Sequence, residues 1–173
     1  MTTNYHKSFL NKIVSLFNGV VVSSLIHISD EDGYLISNVC FFEVDYNRVV
    51  GFYINGANPL VTSNHINEFD DFNLYSMYET LTEVKSGVLP VFRVEHMKAV
   101  FHPEYDELVA LFLSSADFSI SLLVVFSIDE IYVHVGCNQG DYIEVIKNDL
   151  LQFKEIDFLI FQKNTDDTYW SDL

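Results

Sequence analysis

The sequence predicts an α+β fold: a mainly antiparallel, meandering β-sheet with an N-terminal helix and one or two further helices packed on it. Three observations carry this expectation. Helical periodicity occurs only in a few short stretches. Most of the remaining chain runs in short segments rich in Val, Ile, Phe and Tyr, bounded by Gly, Asn and Asp. The connections between these segments are short, so consecutive strands pair antiparallel, and a doubly wound alternation of strands and helices is disfavoured.

The elements follow in order. Residues 4–18 read as a helix, because Phe9, Ile13, Leu16 and Phe17 fall on one helical face. Thr3 or Asn4 is placed to cap it and Gly19 to end it. Strands are expected at 20–28 and at 34–45, the latter with Ile36, Cys40, Phe42 and Val44 on one face. A tight connection at Tyr46-Asn47 leads into a strand at 48–54, and 55–59 is a turn cluster. The stretch 72–86 reads as helix, with Leu74, Met77, Tyr78, Leu81 and Val84 as its stripe and Asp70 or Asp71 as its cap. After Pro90 the pattern returns to strands at 91–101, 106–114, 118–126 and 130–135. A short helix at 142–152 and a last strand at 156–161 complete the series, and the polar tail from about 164 is expected to fray, with Trp170 able to dock.

At 173 residues the chain is expected to form one domain, 1–173. Cys40 and Cys137 cannot build a disulfide framework and are expected as buried free thiols in a reducing compartment. Two uncharged or nearly uncharged runs resemble membrane spans. In 13–29 the Asn18-Gly19 pair interrupts the apolar pattern, and no cleavage site follows. In 108–128 Asp117 sits near the centre, where it would cost about 2.5–3.5 kcal/mol, and both flanks are acidic. A hairpin turning at 114–117 reads better. The protein is therefore expected to be cytoplasmic and not bound to membrane.

Chemistry is sparse. His134 and Cys137 are three apart, but no second ligand pair accompanies them, so no metal is expected. No phosphate-binding loop and no nucleophile elbow occurs, and no cofactor is expected. Carboxylate pairs are abundant; Glu43 and Asp45, two apart on a predicted strand, are an example of a pair that could serve a small enzyme. Nucleic acid is disfavoured, because only Arg48 and Arg93 supply guanidinium groups and the lysines are scattered.

What remains is charge. The chain carries 25 acidic against nine basic residues, a net of −16, yet is 49% hydrophobic. The first 29 residues hold no acid; residues 30–173 hold all 25 against seven lysines and arginines, a net of −18. The acids gather at predicted turns. Some of these turns also carry tyrosine, a favoured interface anchor. Asp45-Tyr46, Asp70-Asp71, Glu104-Tyr105-Asp106-Glu107 and Asp141-Tyr142 are therefore the candidate partner-binding residues. A folded, anionic chain without catalytic groups suits a binder of basic proteins.

In size, acidity, strand-rich α+β pattern and lack of catalytic motifs the chain resembles the bacterial immunity proteins that neutralise basic toxin domains, such as contact-dependent-inhibition nucleases. The resemblance implies stoichiometric binding of a cognate nuclease-like toxin domain, with the acidic face docked on its cationic substrate surface and a steered on-rate. The alternatives are a DNA-mimic inhibitor, which needs carboxylates spaced like phosphates, and a small carboxylate-based enzyme.

Overall fold

A computed structural model describes residues 4–54, 56, 58–63, 82–86 and 89–172. The α+β class holds, and among the described residues every strand pairing is antiparallel. The strands form two sheets instead of one. Helix α1 (Asn4–Phe17) is followed by β1 (Val21–Ser29), β2 (Val39–Val44), β3 (Arg48–Tyr53), β4 (Leu60–Thr62), β5 (Thr82–Ser86) and β6 (Phe92–Arg93). These strands form the first sheet, in the order β4-β3-β2-β1-β5 with β6 also on β1. The second sheet holds β7 (His96–Phe101), β8 (Leu108–Ser114), β9 (Ser121–Phe126), β10 (Ile131–Val135), β11 (Leu159–Asn164) and β12 (Ser171–Asp172). Its order is β10-β9-β8-β7-β11-β12, and α2 (Tyr142–Asp149) stands between β10 and β11 in the chain.

One apolar core joins both sheets and α1. The face of α1 that the spacing marks out, with Leu10 added, is buried in it. Phe17 stacks on Phe52 of β3 with centroids 6.0 Å apart, and Phe9 meets Phe101 of β7 edge-on at 6.2 Å. The helix thus touches both sheets, and Phe52 reaches Phe126 of β9 directly at 5.3 Å. Burying each such side chain contributes roughly 1.5–3 kcal/mol before entropy is counted. Gly19 adopts φ +70° just past the helix, the left-handed conformation that ends it.

The run 108–126 is apolar on both sides because both sides of β8 and β9 are covered. Leu111, Leu113, Leu122 and Val124 face the shared core. Phe112, Leu123 and Val125 face outward under Tyr142, Ile146 and Leu150 of the α2 region. The run that resembled a membrane span is this hairpin, and among the described residues no helix is long and apolar enough to cross a membrane. Lys98 on the same outer face is buried, its ammonium 4.8 Å from the centre of the Tyr142 ring. Burial lowers its pKa.

Several expectations are corrected. Of the helix expected at 72–86, residues 82–86 form β5 and the rest lie outside the described residues, as do Asp70 and Asp71. Thr-Glu-Val-Lys-Ser alternates at period two as well as fitting a helix, and the exposed edge of β1 supplies its backbone partners, with Ile26 opposite Lys85 and Ile28 opposite Glu83. The strand expected at 91–101 breaks at Val94-Glu95, where the chain leaves one sheet for the other. Val94 is fully buried there; its N–H donates to Val20 O and the Glu95 N–H to Ser114 O. Ile36 does not share the face of Cys40 and Phe42 but packs on the opposite side with Val39 and Phe41. The last long strand starts three residues late, and the tail does not fray: Thr165 bonds to Glu95, Trp170 packs on the core and β12 pairs with β11. Cys40 is buried as expected, whereas Cys137 is only half-buried; both thiols are free.

Gly51 faces Phe41 across the β2–β3 ladder, and a Cβ placed on it would lie 2.3 Å from the Phe41 ring. The ring occupies the space a side chain would need. Gly51→Ala is expected to lower stability by about 1–3 kcal/mol in denaturant unfolding. A change below about 0.5 kcal/mol would show that the ring is free to move aside.

Candidate functional site

In an antiparallel meander, alternate connections fall at the same end of the strands. This rule sorts the acidic turns. The β7–β8 connection (102–107) and the β9–β10 connection (127–130) share one end of the second sheet. The β1–β2 connection (30–38) lies at one end of the first. Backbone bonds fasten these ends together. The Ile131 N–H donates to Ser37 O at 2.8 Å, and the Gly56 N–H to Ile128 O at 2.9 Å. The Leu108 N–H donates to Asn58 Oδ1 at 3.1 Å. Three acidic connections therefore converge at one end of the molecule.

Each is held by its own local chemistry. Asp30 Oδ1 accepts the N–H groups of Asp32 and Tyr34, and Gly33 takes φ +83° to complete the turn. That turn leaves Glu31 and Asp32 pointing nowhere inside, with Tyr34 72% exposed and Leu35 beside it. In the second connection His102 is buried; its ring Nδ1 accepts the Glu104 N–H, and its backbone N–H donates to Glu107 O. Tyr105 stays 63% exposed against the His102 ring. The third turn closes through Ser127 N–H to Glu130 O and leaves Ile128 59% exposed. The three segments carry Asp30, Glu31, Asp32, Glu104, Asp106, Glu107, Asp129 and Glu130, and no lysine or arginine.

The electrostatics reach into the core at one point. Asp106 stands 3.3 Å from Nε2 of His6, a buried residue of α1 packed between Phe101 and Phe161. Burial lowers the His6 pKa, and the Asp106 charge partly opposes the shift. Burial likewise raises the Glu107 carboxyl, against the pull of His102.

The expected site residues thus divide. Glu104, Tyr105, Asp106 and Glu107 lie on this end. Asp45 and Tyr46 lie at the opposite end, in the β2–β3 turn, both at positive φ. There Asp45 accepts the Val21 N–H and the Arg48 guanidinium, which hold its carboxyl below the usual range. Asp141 precedes α2, and Tyr142 is not a surface anchor at all: it is 6% exposed, packed on Phe112 beneath Lys98. Its position on the inner side of α2 puts it against the sheet, a fate that adjacency to Asp141 does not reveal. No protein-family model, curated protein or solved structure matches the chain.

Glu43 and Asp45 are held by different partners. Burial alone would raise Glu43, but hydrogen bonds from Ser24, Lys85 and Ser23 outweigh it and leave the carboxyl lowered. Among the described residues no group of three or more His, Cys, Asp or Glu side chains is placed to hold a metal. His134 instead bonds Asp149 of α2 at 2.6 Å. Burial raises both cysteine thiols, with Asp141 adding to the effect at Cys137.

Asp30–Asp32 and Asp129–Glu130 stand in the sequence as acidic clusters, but nothing beside them marks Tyr34, Leu35 and Ile128 as their apolar companions. The parity of the connections is the signal that could have grouped them.

Because His6 is harder to protonate folded than unfolded, it adds stability fully above its ordinary value of 6.5 and loses it as pH falls below that. His27 on β1, also lowered by burial, acts in the same direction. His6→Gln should therefore make the fall in unfolding free energy between about pH 7 and pH 5 shallower. Asp106→Asn should move the His6 imidazole titration further down in NMR. An unchanged slope in the first variant, or an upward shift in the second, contradicts the assignment.

Proposed function

We propose that this protein is a stoichiometric binder of a basic protein and that it docks through the acidic end. In this reading it acts as an immunity protein that covers the cationic substrate surface of a toxin domain. The observation that carries the reading is the convergence of eight carboxylates from three connections, with no lysine or arginine among them. Tyr34, Leu35, Tyr105 and Ile128 stand exposed in the same connections. Carboxylates supply attraction and orientation, and apolar anchors supply the binding free energy that exposed charge alone does not. That mixture supports a compact interface with a protein.

The opposite end supports the same polarity. Both arginines of the chain are there. Arg48 bonds Asp45, while Arg93 donates to Gly19 O and lies 4.0 Å from Glu95. Two free cysteines support a reducing, cytoplasmic setting.

Glu104 and Asp129 are exposed and make no side-chain hydrogen bond or ion pair among the described residues, so their charge can be reversed without touching the fold. Glu144 of α2 and Asp166 after β11 are equally exposed and serve as the control. A tagged protein recovered from its native cells at low salt should bring down a basic protein, released as salt rises. The double variant Glu104→Lys/Asp129→Lys should lose that protein. The double variant Glu144→Lys/Asp166→Lys, which changes net charge equally, should retain it. Equal loss in both variants, or no basic protein with the unaltered chain, refutes docking at this end.

A further inference from the structure

Among the described residues the two sheets end in β4 and β5, and in β10 and β12. An open sheet edge invites pairing with another chain, and proteins guard such edges by shortness, charge or proline. β4 and β12 are three and two residues long, and β5 carries Glu83 and Lys85. β10, Ile-Tyr-Val-His-Val, has none of these guards, and its register with β9 is unbroken. The ladder shows which groups it leaves open. Gly136 N–H donates to Ser121 O, and Ser127 N–H to Glu130 O, so the even-numbered residues of β10 bond to β9. The odd-numbered residues point their backbone groups away from β9. Ser37 O takes the Ile131 N–H, while the N–H groups of Val133 and Val135 have no acceptor among the described residues.

The side chains of β10 alternate in the same way. Ile131, Val133 and Val135 are half-buried against the shared core. On the other face the Tyr132 hydroxyl donates to Glu130 at 2.8 Å, and His134 bonds Asp149 at 2.6 Å. One face of the edge is thus apolar, and the other carries two carboxylates. β10 leads away from the acidic end, directly after Asp129-Glu130, and no lysine or arginine occurs between Lys98 and Lys147. A second copy of the chain would bring its own net −16 against this field, whereas a basic segment is drawn to it. We propose that an extended segment of the basic partner adds to β10 as a further antiparallel strand. Its apolar residues lie beside Val133 and Val135 and exchange backbone bonds with them. The alternate residues, lysine or arginine, lie on the face of Glu130 and Asp149. Strand addition here rests on the reading of the protein as a binder of a basic protein, and specifies how that partner is held.

The probe is acetyl-Lys-Val-Lys-Val-Lys-Val-Lys-amide, added to the full chain while amide hydrogen exchange is followed by NMR. In the free chain Val133 and Val135 should exchange at least about tenfold faster than Tyr132 and His134, whose N–H groups lie in the ladder. The peptide should slow Val133 and Val135 saturably. N-methylvaline in place of valine removes the N–H groups that face β10, and glutamate in place of lysine reverses the charge. Each altered peptide should bind at least about tenfold more weakly. Because the Val133 N–H lies outside the ladder, Val133→Pro should keep the circular dichroism of the fold and lose the peptide. If that variant does not fold, the N-methylated peptide makes the same test. Val133 as protected as His134 in the free chain overturns the proposal, as does no protection up to about 5 mM peptide. So does either altered peptide binding as well as the first. The proline variant also separates the two readings. A basic protein recovered equally by the unaltered chain and by folded Val133→Pro overturns strand addition alone, whereas recovery of none by the unaltered chain refutes the docking reading whatever the peptide does.

Discussion

The contact of Phe52 with Phe126 across the seam between the sheets, and the wedge of α1 beside it, is the constraint on which the rest of the molecule depends. Each sheet alone would expose an apolar face. Joined, the two faces and the helix bury one another, and the strand ends of both sheets are brought level. The loops do not choose their neighbours; the seam does. Ser37 meets Ile131 and Gly56 meets Ile128 because the strands that carry them are already aligned by the core.

From that alignment follows the distribution of charge. A chain of net −16 pays for solubility with self-repulsion, and spreading the carboxylates evenly would minimise it. Here alternate connections of a meander bring eight of the 25 carboxylates to one end, while Arg48 and Arg93 occupy the other. Asp30 and His102 show that the acidic turns are built structures: each spends its polar atoms on backbone groups and leaves its neighbours Glu31, Asp32, Glu104 and Tyr105 outside. Asp106 ties the same end to His6 in α1, so the state of one core imidazole and the field of the acidic end are coupled.

Much of the fold was legible in the sequence. The period of Phe9, Ile13, Leu16 and Phe17 reports a helix face because one side of α1 meets the core and the other meets water. The hairpin at 108–126 was legible as strands but not in its setting, since an apolar run covered on two sides looks the same as one covered by lipid. The segment 82–86 was misread because Thr-Glu-Val-Lys-Ser satisfies two periods, and the unpaired edge of β1, remote in sequence, decided between them. The division into two sheets rests on Val94, a single buried residue at a corner with no local mark. For the site, the acidic turns were visible singly; their grouping depends on strand parity and sheet alignment, which neighbouring residues do not carry. Tyr142 shows the same limit from the other side, lying next to an acid in sequence yet turned into the core in space.

The negative field is expected to be strongest where the three connections converge. Paramagnetic relaxation of backbone amides by a cationic nitroxide, compared with a neutral one of the same shape, measures that field residue by residue without any partner. The largest excess from the cationic probe is expected at 30–35, 103–107 and 128–130, with a smaller excess at 45–48 and 115–120. An even excess over the whole surface, or a maximum at the end that holds Arg48 and Arg93, would contradict it.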